Sequence, residues 1–238
     1  MQALFRKSAL VAALLGVLGS NLYAQAIFGA AETDDNDVTL LLLGGSWAPG
    51  GLGWKPFGTV VAYNLRFPAG TATQTNNVVL PTIGLMHAMP TQDVEFGVGY
   101  AFSSEDFGST PVLVAAPSGD GVVASFGWNY WGTGRRAAQV LASYNFGDSK
   151  YLWSRGRAAL PLTPTSPLWA GGEVAFMGGG DPSAYLVQFG PTLEYRFTPQ
   201  FRLTGSAGLK QGLSGFPTGA DKSAVYGRIE FLWLPTAH

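Results

Sequence analysis

Between Ser183 and Lys210 the chain alternates for 28 residues with hardly an error. Tyr185, Val187, Phe189, Pro191, Leu193, Tyr195 and Phe197 are apolar, while Gln188, Gly190, Thr192, Glu194 and Arg196 between them are polar or small. After Thr198-Pro199-Gln200 the pattern resumes, with Phe201, Leu203, Gly205, Ala207 and Leu209 on one face and Arg202, Thr204, Ser206, Gly208 and Lys210 on the other. A period of two means β-strand, because successive side chains leave a strand on opposite sides. Strands of ten or more residues exceed the five or six usual in globular sheets. They match the roughly nine to eleven needed to cross a bilayer at a tilt. The stretch reads as one hairpin of a membrane β-barrel.

The start of the chain agrees with that compartment. Arg6 and Lys7, the apolar run Ala9 to Leu18 and the small-residue site Ala24-Gln25-Ala26 have the layout of a secretory signal peptide over residues 1–26. Cleavage after Ala24 and after Ala26 fit equally well. No other run is apolar enough for a helical span. Residues 27–37, small and acidic, read as a flexible leader, and residues 38–238 as a single barrel domain. Charged residues make up 12% of the chain, about half the usual share, against 33 glycines, 31 aromatics and no cysteine. Without Arg6 and Lys7 the net charge moves from −1 to −3, which is no footprint for nucleic acid. A soluble sandwich needs a more charged exterior than this composition supplies.

The fold class expected is all-β: one antiparallel, transmembrane-type barrel of about 12 strands. Strands are expected near 38–46, 56–67, 78–89, 93–103, 111–116, 121–131, 136–146, 151–161, 168–178, 183–197, 201–211 and 223–234, separated by Gly, Pro, Asp and Ser turns. Dropping 38–46 and 111–116 leaves ten. Alternation recurs in Val94, Phe96, Val98, Tyr100 and Phe102 and in Val225, Gly227, Ile229, Phe231 and Trp233. In the strand at 56–67, Phe57, Val61, Tyr63, Leu65 and Phe67 oppose Gly58, Ala62, Asn64 and Arg66. A basic residue on the lipid face costs about 2–4 kcal/mol at mid-depth, and this register puts nearly every charge on the other face. One feature conflicts with it: the connections near 68–77 and 104–110 fall on the periplasmic side, where turns are short, yet both are long.

The residues assigned to the lumen are Arg66, Asp93, Glu95, Trp131, Trp153, Arg155, Arg157, Glu173, Glu194, Arg196, Arg202, Lys210, Arg228 and Glu230. Their acids and bases nearly balance. They suit either a polar bore open to solute or an ion-pair plug that fills it. Trp47, Trp54, Trp128, Tyr130, Trp169 and Trp233 sit at strand ends, as interfacial girdle residues do; Trp131 and Trp153 are the candidates for sugar stacking. Catalysis is not expected. The two histidines, His87 and His238, stand in no motif with a serine, and His87 shares a face with Ile83 and Leu85. No metal site or cofactor is expected either, since Asp34, Asp35 and Asp37 form only a loose cluster.

In the last third the chain resembles a known family. Gly172-Glu173-Val174, Gly178-Gly179-Gly180-Asp181, Tyr185, Phe189-Gly190, Leu203, Ser206-Ala207-Gly208 and Val225-Tyr226-Gly227 are similar to the BcsS-type cellulose-biosynthesis proteins over residues 169–231. Gln188 departs, standing where an arginine is expected. The resemblance implies an exported, non-enzymatic barrel in the bacterial outer membrane, in contact with its lipid. It further implies a role in cellulose or exopolysaccharide secretion, with polysaccharide or cellulose synthase components as partners. A small-solute channel, a lipid-modifying enzyme and a soluble periplasmic barrel are the alternatives.

Overall fold

The computed structural model describes residues 25–69, 72–106, 120–131, 137–147, 150–179, 184–214 and 223–234. Among them every regular element is a strand: β1 Gln25–Asp34, β2 Thr39–Trp47, β3 Gly53–Ala69, β4 Ala72–Ala88, β5 Gln92–Asp106, β6 Gly121–Tyr130, β7 Ala137–Asn145, β8 Leu152–Pro161, β9 Leu168–Gly179, β10 Ala184–Arg196, β11 Phe201–Ser214 and β12 Ser223–Trp233. Each pairs antiparallel with its neighbours in sequence, and β1 pairs with β12, so the sheet closes into a twelve-stranded barrel. Closure satisfies every edge, which a sheet in lipid requires. Local chemistry makes the turns. Asp34 Oδ1 accepts from the amides of Asn36 and Val38 at 3.1 Å each, and Asp37 takes the left-handed conformation, φ 58°, that Asp tolerates. Thr198 Oγ1 accepts from Gln200 and Phe201 between β10 and β11.

The two faces separate as the alternation demands. Ile83 is 75% exposed and Ile229 60%, and Leu85, Phe96, Val98, Phe102, Val174, Phe189 and Leu193 are exposed beside them on the outer wall. Those positions suit hydrocarbon. Trp54 and His87 stack outside the lower end of the barrel, where β1 starts and β12 finishes, with ring centroids 4.8 Å apart. Trp128 and Tyr130 stack at the same level, so aromatics ring that end as an interfacial girdle does. Trp169 does not join them: it turns inward and is 4% exposed.

Three further expectations are corrected. Residues 27–37 are not a flexible leader, for β1 and its turn occupy them, and β1 pairs from Gln25↔Trp47 to Thr33↔Thr39. The barrel therefore begins at Gln25. Its first strand went unread because Gly29, Ala30 and Ala31 look like linker and Glu32 and Asp34 like a solvated tail. The expected strand at 111–116 and residues 1–24 of the expected signal peptide lie outside the described residues.

With β1 counted, the connections before β5 move to the opposite end, while those after β6, the sixth strand in either count, keep theirs. The end of β5, the start of β6 and the β3–β4 hairpin lie at the upper end, and the conflict in loop lengths disappears. Residues near 68–77 are largely strand: β3 and β4 stay in register from Gly53↔Ala88 to Ala69↔Ala72. At 17 residues each, they rise past a roughly 25 Å apolar band even when tilted.

Arg66 is the third correction. In β3 the faces are reversed from the reading above, and Phe57 and Leu65 are buried inside. Arg66 lies on the outer face, exposed, its Nε donating to Asn64 Oδ1 at 3.1 Å. Pro56, Val60 and Ala62 make the outer face of β3 apolar too, so alternation there could not say which side is wet. Arg66 lies at the upper rim of the wall, where it pairs with Thr39, the first residue of β2.

Candidate functional site in the barrel lumen

Closure brings together charges far apart in sequence. Arg155 and Arg157 come from β8, Glu173 from β9, Lys210 from β11, Arg228 and Glu230 from β12, and Glu32 and Asp34 from β1. Arg228 is the hub. It pairs with Glu32 at 3.2 Å, with Glu230 at 2.9 Å and with Glu173. Arg157 Nη2 bridges Glu173 at 2.9 Å and Glu230 at 2.6 Å, and Arg155 also pairs with Glu230. Lys210 Nζ holds Glu32 at 2.8 Å and Asp34 at 2.7 Å. Four cations meet four carboxylates, so the cluster is neutral.

Uncharged groups complete it. The Tyr226 hydroxyl donates to Glu173 Oε1 at 2.9 Å and Gln188 Nε2 to Glu32 Oε2 at 3.1 Å. Arg155 Nη2 donates to Gln139 Oε1, Gln139 Nε2 to Asn129 Oδ1, and Asn129 Nδ2 to Asp93 Oδ1. The chain of bonds thus runs from β1 past β12 and β8 to β5.

Several contacts are chords across the bore rather than rungs along the wall. Arg155 and Arg157 on β8 reach Glu230 on β12, four strands away, and Gln188 on β10 reaches Glu32 on β1, three away. Gln188 and Tyr226 are each 1% exposed and Arg228 is 8% exposed. Side chains lining a water-wide pore would be wetted, so the bore is filled at this level. The opposite arc differs. Val78, Ala101 and Val123, with Tyr63 and Leu80, make an apolar lining on β3 to β6. Among the described residues, every ion pair within the bore lies on the arc from β8 to β12 and β1.

The expected lumen residues other than Arg66 and Trp131 are on the inner face, though not all together. Arg155, Arg157, Glu173, Lys210, Arg228 and Glu230 form the network. Glu194, Arg196 and Arg202 form a separate group at the lower end, where Arg196 Nε pairs with Glu194 at 2.6 Å. Asp93 and Glu95 lie on β5, Glu95 with its carboxylate over Gly127. Trp153 lies near Arg155, whose guanidinium is 5.8 Å from its ring centroid. Trp131 follows β6 at the lower rim, 38% exposed, its indole N–H donating to the Pro90 carbonyl at 3.4 Å.

Glu32, Asp34, Gln139, Gln188 and Tyr226 were missed as network members. Glu32 and Asp34 did carry a signal, because they share one parity with Phe28 and Ala30. Among the described residues no three carboxylates or histidines converge as metal ligands would.

Comparison with known proteins bears on the fold. No protein-family model matches, and no curated protein matches. Solved structures do. An outer-membrane channel from Pseudomonas putida F1 superposes with a TM-score of 0.60 at 9% identity, over 91% of this chain and 97% of that one. A KdgM porin in complex with disordered oligogalacturonate gives 0.51 at 12% identity, over 87% and 98%. The β domain of the Bordetella autotransporter BrkA gives 0.51 at 8% identity, over 90% and 100%. Barrels of different roles share this architecture, so the likeness concerns fold. The chain is a closed, twelve-stranded β-barrel of the outer-membrane kind.

Proposed function

We propose that the protein is a non-enzymatic outer-membrane conduit for small hydrophilic solutes, with a bore that rests nearly shut. One observation carries the reading: the ionic network hangs from one arc of the wall and faces an arc, apolar at Val78, Ala101 and Val123, to which hydrogen bonds but, among the described residues, no ion pair tie it. A neutral network of this kind can fold back onto its own wall without leaving a charge behind. Small polar solutes offer the same hydrogen bonds that the network makes to itself, whereas a chain-like polymer would have to displace many at once. With longer connections outside, the upper end is extracellular and the lower end periplasmic. Residues 1–24 serve as the export signal, and cleavage after Ala24 suits a ladder whose first rung is Gln25↔Trp47.

Planar-bilayer recording tests the conduit. Small, stable conductance steps are expected from the wild type, growing when the network is broken at Arg228. Silence from both proteins would end this reading.

A second reading, contact with a secreted glucan and its synthase, is favoured by Trp131, which presents an open aromatic face at the periplasmic rim. Trp153 is less suited, since Arg155 and the lumen wall cover much of it. On this reading Trp131→Ala lowers retention on cellulose several-fold in a pull-down; unchanged retention removes it.

A further inference from the structure

Charge balances within the network but not at the periplasmic end of the bore. Arg196 and Arg202 are direct partners across β10 and β11, two guanidinium groups side by side. Glu194 is the carboxylate beside them, and it is engaged by Arg196 Nε. Arg202 makes no ion pair among the described residues. Arg196 Nη2 and Arg202 Nε are both buried and, among the described residues, donate to nothing. Buried donors of native proteins nearly always have a partner, and here two open donors belong to adjacent cations. The Arg196 guanidinium lies flat on Trp169, 3.4 Å from the ring centroid, and Trp169 is itself buried. The ring holds the fork in one plane, as stacked arginines are held where they recognise planar anions.

The far wall carries acidic residues instead. β5 is six strands from β11 around the barrel and carries Asp93 and Glu95, with Lys55 acting on Asp93 as the nearby cation.

We propose that Arg196 and Arg202 form a seat for the carboxylate group of a small organic anion. Its two oxygens accept one bond each from Arg196 Nη2 and Arg202 Nε, a pair of charge-assisted hydrogen bonds. The seat goes beyond the conduit reading and stands without it, since a seat can fill in a bore that never conducts. Binding is therefore tested apart from conductance.

The probe is trifluoroacetate, observed by fluorine NMR with the folded protein in detergent. Its line is expected to broaden with wild type and to sharpen again when acetate, but not acetamide, is added. Arg202→Gln is expected to reduce the broadening at least five-fold and Arg202→Lys less, because lysine keeps the charge but not the fork. Arg66→Gln removes an outward arginine and is expected to change nothing. The proposal fails if the wild type leaves the line sharp, if R202Q broadens it as the wild type does, or if R66Q loses as much as R202Q. Heat-modifiable migration on gels confirms that each variant is folded before its spectrum is read.

Discussion

Arg228→Ala will lower the stability of the folded barrel and raise its conductance together. The side chain is 7% exposed and holds Glu32, Glu173 and Glu230. Its removal leaves four carboxylates to share Arg155, Arg157 and Lys210 inside a region with little water. Breaking a buried ion pair from one side typically costs about 3–5 kcal/mol, because the remaining charge stays desolvated and unpaired. The temperature at which the compact barrel band converts to the unfolded band should therefore fall clearly. The surplus carboxylate will draw water and cations into the bore, so conductance steps should grow and become cation-selective. A partner variant keeps the idea testable. Arg228→Ala combined with Glu173→Gln restores neutrality and should recover part of the lost stability, as coupled neighbours do. Equal stability for Arg228→Ala and wild type would show that the network is not what fills the lumen.

Gly190→Ala should destabilise the barrel severely. A Cβ at Gly190 would stand 2.0 Å from the Ala207 carbonyl oxygen and 2.8 Å from Gly208 Cα, and one at Gly208 would stand 2.1 Å from the Phe189 carbonyl oxygen. These neighbours are backbone and cannot swing away. The close approach sits where the β10–β11 pairing skips from Phe189↔Leu209 to Thr192↔Ser206, beside Pro191, which has no amide to give. Overpacking commonly costs 1–3 kcal/mol, occasionally more, and a contact this short between backbones belongs at the upper end. The folded-to-unfolded ratio should drop on the order of ten-fold or beyond, read as a lower temperature at which the heat-modifiable band of the refolded barrel converts to the unfolded one. Gly205→Ala is the control: its Cβ would meet nothing within 4 Å, so it should fold as the wild type does. If Gly190→Ala refolds equally well, the close packing of β10 on β11 is not a requirement of the fold.

The contrast between β10–β12 and β1–β3 explains what sequence could show. In β10 to β12 bulky apolar residues alternate with charged ones at a depth where lipid lies outside, so faces, register and inward charges were all legible. In β3 both faces are apolar and the polar residues Asn64 and Arg66 come only near the upper rim, so the alternation rule assigned the sides backwards. In β1 small residues gave too little contrast to declare a strand, and with it went Glu32 and Asp34. Which inward charges would meet was beyond local pattern altogether. Glu230 reaches Arg155 and Arg157 only because closure places β12 and β8 on facing parts of the wall.

The β1–β12 seam has a consequence for assembly. Glu32 and Asp34 come near the start of the described chain, and Lys210 and Arg228 near its end, so they can neutralise one another only after the last strand has docked beside the first. Until then the unfinished sheet carries exposed acids on one edge and exposed bases near the other, which keeps it wet and out of hydrocarbon. Zipping that seam discharges both edges in one step and commits the molecule to the bilayer.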